Sequence, residues 1–279
     1  MKTVTTVAEM SALSTRFRGE SRTIALVPTM GYLHEGHLSL VRAARASSDI
    51  VVASIFVNPT QFGPNEDLDR YPRDPEGDAA KLATEGVDIL FCPSSEEMYP
   101  PGYRTYVSVE GITDSLCGAK RPGHFRGVAT IVTKLFSIIS PHKAFFGQKD
   151  YQQTIVIKRL NVDLNLGIEV VVLPTIREAD GLAMSSRNSY LSADERKKAV
   201  LIYKSLCSAE KIFASGERRT SAIVTGMEQI LHNIDGIEVE YLSVVDGTTL
   251  EDISLAQKGD VIAVAAKVGR TRLIDNTIL

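Results

Sequence analysis

A chain of 279 residues with a formal net charge of −3 lies near the size at which one hydrophobic core splits into two, so two domains are expected. Its 44% hydrophobic and 23% charged residues are those of an ordinary globular protein, and the slight acidity excludes a general electrostatic hold on nucleic acid or anionic lipid. Cys92, Cys117 and Cys207 lie far apart without paired spacing, which argues against a zinc knuckle or disulfide framework and for reduced thiols in a cytoplasmic protein.

Thr6-Val7-Ala8-Glu9 has capping-box spacing, which predicts a helix from Val7 to about Arg18, stopped by Gly19. The stretch from Met1 to Met10 has no continuous apolar core of a signal peptide, and no run approaches the ~20 apolar residues of a membrane span. No targeting or anchoring is expected. A strand over Thr23–Val27 leads into Pro28-Thr29-Met30-Gly31-Tyr32-Leu33-His34-Glu35-Gly36-His37, and an amphipathic segment from Leu38 to Ala46 follows. That is a strand-loop-helix corner. Asp49–Val57 reads as a parallel strand buried on both faces, ending at Asn58-Pro59, and Thr60–Arg73 as a long loop at its carboxyl end. Asp74-Pro75 caps a helix that ends at Gly86, and Val87–Cys92 is the next strand. After a proline-rich loop, Arg104–Val109 alternates like a half-buried strand. Val128, Ile131, Val132, Leu135, Phe136 and Ile139 form a helical stripe within His124–Ser140, which Pro141 closes. Ala144–Phe146 is a short strand, Gly147–Asp150 opens a helix over Tyr151–Leu160, and Glu169–Leu173 is a further buried strand.

Strands alternating with helices predict an α/β fold, a Rossmann-like doubly wound parallel sheet over residues 1–175 with ligands beyond the carboxyl ends of its strands. After Pro174 the texture changes. Ser192-Ala193-Asp194-Glu195 is a second capping box that starts a helix to about Ala214, and a shorter helix spans Ser221–His232. Ile237–Val245, Asp260–Lys267 and Thr271–Asp275 read as antiparallel strands, with turns at Asp246-Gly247 and Gly269-Arg270. Residues 176–279 are therefore expected to form a smaller C-terminal α+β domain.

The residue types point to phosphate chemistry. His34 and His37, with Gly31 and Gly36, offer imidazole donors and backbone N–H groups at a helix N-terminus, an arrangement suited to an anion. At Gly147-Gln148-Lys149-Asp150 a glycine permits close backbone approach, the lysine supplies a mobile cation, and the aspartate suits a ribose hydroxyl or a hydrated metal ion. Ser185-Ser186-Arg187 sets two hydroxyls and a guanidinium in a row, as triphosphate oxygens require. Taken singly, each also reads as a solvated loop, a helix-end lysine or a simple turn.

Five motifs in order turn these separate signals into a resemblance. His34-Glu35-Gly36-His37 resembles the HxGH signature of nucleotidyltransferases and class I aminoacyl-tRNA synthetases. The longer stretch from Pro28 resembles the pantothenate synthetase (pantoate–β-alanine ligase) family, as do Phe56-Val57-Asn58-Pro59-Thr60-Gln61-Phe62, Arg121-Pro122-Gly123-His124-Phe125-Arg126-Gly127-Val128, Phe146-Gly147-Gln148-Lys149-Asp150-Tyr151-Gln152-Gln153 and Met184-Ser185-Ser186-Arg187-Asn188. The last hundred or so residues carry no comparable motif.

The resemblance implies condensation of (R)-pantoate with β-alanine at the expense of ATP, through a pantoyl adenylate, with release of AMP and pyrophosphate. By the same resemblance His37 is the proton donor beside His34, and Met30 to His37 back the nucleotide. Lys149, Ser185, Ser186 and Arg187 hold phosphates, Gly147 to Asp150 with Ile176 and Met184 hold ATP, and Asp150 is the candidate Mg²⁺ contact. Gln61 and Gln153 are the pantoate contacts, with Gln61 also near β-alanine; Asn58 supports Gln61 or a phosphate and Tyr71 walls the β-alanine side, both reading as readily as structural residues. A homodimer with a C-terminal lid, and no nucleic-acid or membrane partner, completes the expectation. His124 reads equally as a catalytic residue or as a capping or supporting histidine at a helix start, whereas His142 and His232 read as surface residues. A tRNA ligase is disfavoured because Ala183-Met184-Ser185-Ser186-Arg187 lacks lysines around its serines. A nucleotidyltransferase that leaves AMP on its product and a nucleotide sensor without turnover stand as the alternatives.

Overall fold

In the computed structural model, which describes residues 1–232 and 234–279, the apolar runs of the first half become β1 (Lys2–Val4), β2 (Ile24–Thr29), β3 (Ile50–Ile55), β4 (Ile89–Phe91), β5 (Lys143–Gly147) and β6 (Glu169–Leu173). They pair in parallel in the order β1-β4-β3-β2-β5-β6. From β2 the chain winds outward through β3 to β4, then returns to the other side of β2 for β5 and β6. This is the doubly wound order with β1 added at one edge. Parallel pairing with helical crossovers buries central strands on both faces, and the continuous apolar sequences of β2 and β3 are what that burial requires.

The order reverses between β2 and β5, where pairing is short. Only Ala25 with Lys143 and Leu26 with Ala144 are partners across that seam among the described residues. Val27, Pro28 and Thr29 pair with β3 alone, and Phe145, Phe146 and Gly147 with β6 alone. The two strands therefore part at their carboxyl ends, which is the switch point of the sheet.

The chain divides into two compact units. One comprises Met1–Val109, Arg121–Gly147 and Val156–Pro174, and contains the whole parallel sheet. The other comprises Glu110–Lys120, Gln148–Ile155 and Thr175–Leu279, so it takes in two short segments lying before residue 175.

The helices begin with α1 (Val7–Gly19), capped by the Thr6 side chain accepting from the Glu9 N–H, and α2 (Glu35–Ser47). They continue with α3 (Pro75–Thr84), capped by Asp74, and with α4 (Ser95–Met98), α5 (Leu116–Lys120), α6 (His124–Ile139) and α7 (Tyr151–Asp163). All six stripe residues of α6 are buried, as their spacing predicts. Against the sheet, Val41 and Ala44 of α2 and Leu82 of α3 pack with Val27, Val51 and Leu90.

Two expectations fail for physical reasons. Arg104–Val109 alternates but forms no strand, since the Val107 N–H goes to the Thr130 hydroxyl instead of a ladder partner, at 3.0 Å. The segment β6 is half-buried because it is an edge strand. One strand has no counterpart in the sequence reading, since the three residues of β1 are too few to show a period.

In the second unit, α8 (Ala193–Ala214) and α9 (Thr220–Leu231) pack on the antiparallel meander β7 (Ile237–Val245), β8 (Val261–Val268) and β9 (Thr271–Ile278). Its core includes Ile202, Leu206, Ile223, Met227 and Val264. Both bonds of the Ser192–Glu195 capping box are present. Among the described residues no helix is long and apolar enough to cross a membrane.

Candidate active site

The corner after β2 is held by the protein itself. The Thr29 hydroxyl donates to the Ser54 carbonyl at 2.8 Å and accepts from the Gly31 N–H at 3.2 Å. The Tyr32 and Leu33 N–H groups each donate to one oxygen of the Asp78 carboxylate, both at 2.7 Å. Asp78 is 1% exposed, and Lys81 donates to the Leu33 carbonyl at 2.9 Å while standing 3.8 Å from Asp78. Gly31 turns the chain at φ +85°, and a Cβ there would press within 3.1 Å of both Asp78 and Ile55.

Helix α2 starts at Glu35, earlier than the apolar pattern suggests, which makes His34 its N-cap and puts His37 in its first turn. The two histidines form a reciprocal capping box. His34 Nδ1 accepts from the Gly36 N–H at 3.2 Å, and His37 Nδ1 accepts from the His34 N–H at 3.3 Å. Their ring centroids lie 4.1 Å apart. An imidazole nitrogen that accepts carries no proton, so both neutral rings hold theirs on Nε2, as donors. The N–H groups of Gly31, Tyr32, Leu33, His34, Gly36 and His37 all have acceptors within the protein. The expectation of backbone N–H groups open to an anion is thereby corrected for these six amides. This loop keeps its shape through its own amides and presents ring donors.

Beyond β3, Asn58 caps a 3₁₀ turn, Pro59–Gln61. Its side-chain amide donates to Gln61 Oε1 and to the Gly127 carbonyl, both at 3.1 Å, and its oxygen accepts from the Tyr99 hydroxyl at 2.8 Å. Burial pushes the Tyr99 hydroxyl up to about 12, so it stays protonated as that donor. Gln61 Nε2 reaches Met30 Sδ at 3.2 Å, which ties the turn to the histidine corner. Gly127 is required here, since a Cβ would lie 2.4 Å from the Thr60 carbonyl oxygen. Burial would raise the Glu66 carboxyl, but the Arg121 hydrogen bond and charge outweigh it and hold the group below its ordinary value. Tyr71 is buried edge-on against Phe62, with ring centroids 6.0 Å apart. Glu35, for its part, pairs with Arg42.

The second unit holds the remaining candidates except Gly147, which is the last residue of β5. Gln148–Asp150 is a 3₁₀ turn ahead of α7, which carries Gln153. Lys149 Nζ lies 3.8 Å from the Asp150 carboxylate. Ser185 caps the turn Ser186–Tyr190, its hydroxyl accepting from the Arg187 N–H at 3.3 Å. The Met184 N–H donates to the Ile176 carbonyl at 2.9 Å, so these two candidates face each other across the Arg177–Ala183 bridge.

Neighbouring residues of β9 hold both segments. Asp275 takes a two-pronged contact from Arg177, at 2.5 and 3.1 Å. Asn276 donates to the Gln148 and Lys149 carbonyls at 2.9 and 2.8 Å. Neither Asp275 and Asn276 nor Asp78 stands out in the sequence. Within their periodic patterns they read as one more strand polar residue and one more acid in a helix's first turn.

His142 is corrected from surface residue to half-buried strand partner, its Nδ1 accepting from the Ile24 N–H at 2.9 Å. Gln152 is buried and satisfied, accepting from the Cys117 N–H at 3.0 Å and donating to the Ile112 and Ser115 carbonyls at 2.9 and 3.0 Å. Among the described residues no three His, Cys, Asp or Glu side chains gather into a metal site, and Cys92, Cys117 and Cys207 are free thiols.

Comparison with known proteins matches the whole chain. The family model for pantoate-beta-alanine ligase covers residues 2–278. A protein of Thermotoga neapolitana, called pantothenate synthetase, is 54% identical over 279 residues, spanning 100% of both chains. The crystal structure of pantothenate synthetase from Thermus thermophilus superposes with a TM-score of 0.95 at 48% identity, covering 100% of this chain and 99% of that one. A pantoate-beta-alanine ligase from Francisella tularensis, described as complexed with beta-gamma ATP and beta-alanine, gives a TM-score of 0.81 at 33% identity, covering 100% and 97%. With its fold and its whole length matched, the chain belongs to the pantoate–β-alanine ligase family.

Proposed function

We propose that the chain condenses (R)-pantoate with β-alanine to form pantothenate, using ATP and passing through an enzyme-bound pantoyl adenylate. The observation that carries this reading is the histidine corner, where two imidazoles are tied down at Nδ1 and present Nε2–H donors at the switch point of the sheet. In the first step a pantoate carboxylate oxygen bonds to the α-phosphorus of ATP, and the bond to the bridging oxygen breaks with its electron pair leaving on pyrophosphate. In the second, the β-alanine amine attacks the acyl carbon, AMP departs with the electrons of the C–O bond, and the amine loses its proton to solvent.

Charge grows on phosphate oxygens in the first step, and fixed donors stabilise it without reorganising, each typically contributing ~10²–10³ in rate. His34 and His37 take this role, with His37 as proton donor. Lys149, Ser185, Ser186 and Arg187 bind phosphates, and Gln61 and Gln153 bind pantoate through amides that both donate and accept. Asp150 is a single carboxylate, which suits a Mg²⁺ ion that arrives on the nucleotide and keeps phosphate and water ligands. When bound, that ion offsets charge on the departing pyrophosphate. The free thiols suit a reducing cytoplasm, and a homodimer is the form we expect, C₂ being the commonest symmetry.

The test is a rapid quench with ATP, Mg²⁺ and pantoate, counting pyrophosphate, AMP and acyl adenylate separately. Without β-alanine, one pyrophosphate per site appears and turnover stops. Adding β-alanine then yields pantothenate and AMP in equal amounts. Pyrophosphate release that waits for the amine would overturn the two-step reading. A stable adenylylated product would indicate a nucleotidyltransferase, and ATP binding without pyrophosphate release a sensor.

A further inference from the structure

The motif Arg121-Pro122-Gly123-His124 supplies two side chains that converge on one backbone atom, the carbonyl oxygen of Gln61. Arg121 Nη2 lies 3.2 Å from it and His124 Nδ1 2.9 Å. The guanidinium is itself held by Glu66, through Nε to Oε1 at 2.7 Å and Nη2 to Oε2 at 2.5 Å. Its remaining arm, Nη1, lies 3.0 Å from His124 Nε2. Guanidinium nitrogens only donate, so Nε2 accepts, the ring's proton sits on Nδ1, and Nδ1–H donates to the Gln61 carbonyl. One carbonyl thus receives a charged and a neutral donor whose own positions are fixed.

We propose that Arg121 and His124 are positioning residues that clamp Gln61 and thereby set the enzyme's affinity for its acyl substrate. The proposal rests on the assignment of Gln61 to pantoate above. Asn58 and Met30 hold the Gln61 side-chain amide, the Gln61 N–H donates to the Asn58 carbonyl, and Gly127 lets α6 press against the same turn, while the clamp holds the Gln61 carbonyl. A displaced backbone carries the side-chain amide with it, and a hydrogen bond to a substrate carboxylate weakens steeply with distance and angle. Neither clamp residue is placed on the nucleotide, so the effect is selective for the acyl substrate.

Steady-state kinetics of His124→Leu, His124→Asn, Arg121→Gln and Gln61→Ala test this, with thermal unfolding run on each. Losing one donor to the carbonyl should raise the pantoate KM roughly tenfold and leave the ATP KM unchanged. His124→Asn, whose amide nitrogen can take the place of Nδ1, should recover most of the loss seen in His124→Leu. If Gln61→Ala raises the pantoate KM but folded His124→Leu and Arg121→Gln do not, the clamp is wrong. Equal rises in both KM values would mean a general structural role and would also overturn it. An unchanged pantoate KM in Gln61→Ala would instead remove the Gln61 assignment, and the clamp's consequence with it. Should His124→Leu not fold, Arg121→Gln against Gln61→Ala decides by the same criteria.

Discussion

Replacing Asp78 by Asn tests how the histidine corner is built. The carboxylate accepts two backbone N–H groups at 2.7 Å each and is 1% exposed, so water cannot substitute for it. An amide of the same shape keeps one accepting oxygen and turns an NH₂ group toward the other N–H. Hydrogen bonds to charged groups contribute ~1.5–3 kcal/mol and a buried unsatisfied donor costs ~1–3, so the loop should lose about 2–4 kcal/mol once the overlap between these terms is allowed for. Tyr32, held at φ +51°, adds to the tendency to relax once released. Lys81 compensates little, since its side chain is 40% exposed and 3.8 Å away. Hydrogen exchange at the Tyr32 and Leu33 amides reads this directly, and that loss corresponds to a roughly 30- to 1,000-fold acceleration. The pyrophosphate burst should slow in the same variant, because the His34 ring moves with the loop. Wild-type exchange at both amides together with a wild-type burst would refute the reasoning.

Two further outcomes follow from contacts away from the corner. Burial, with the Arg18 charge next and Asp49 opposing, pushes the His142 imidazole below its ordinary value, and its protonation would remove the acceptor for the Ile24 N–H. The native state then binds fewer protons than the unfolded chain, so this contribution is complete above the ordinary value of ~6.5 and is lost as pH falls through the depressed folded one. Urea midpoints measured from neutral to mildly acidic pH should fall in the wild type and fall less in His142→Asn; identical slopes would exclude His142 as the source. Asn276→Leu removes the donors to the Gln148 and Lys149 carbonyls and should raise the ATP KM roughly tenfold without changing the pantoate KM. An unaltered ATP KM in the folded variant would show that Lys149 does not depend on β9.

Much of this was legible because local signals carry most of it. Caps at Thr6, Asp74 and Ser192, the stripe of α6 and the apolar runs of β2 and β3 each depend on residues near in sequence, and each stands where the pattern puts it. What stayed hidden depends on pairing across distance. Asp78 meets the Tyr32 amide 46 positions away, Gln148 meets Asn276 across 128, and Gln61 meets His124 across 63. No spacing rule announces such contacts. The alternation of Arg104–Val109 misled for the opposite reason, since a strand also needs a neighbour to pair with, and its sequence cannot show that one is absent.

The interleaving of the two units has a consequence for synthesis. The sheet-bearing unit ends at Pro174, so its chain is complete well before that of the other, most of which lies beyond it. Ile112, Leu116, Tyr151 and Ile155 pack with Val245, Leu250, Val261 and Ala263, partners that emerge from the ribosome long after them. At ~5–20 residues per second, Ile155 waits roughly 5–20 s for Val261. Throughout that interval four large apolar side chains lack the core they will occupy. The nascent protein is then most open to chaperone capture and to aggregation, and a chain stopped just beyond the sheet would stay in that condition.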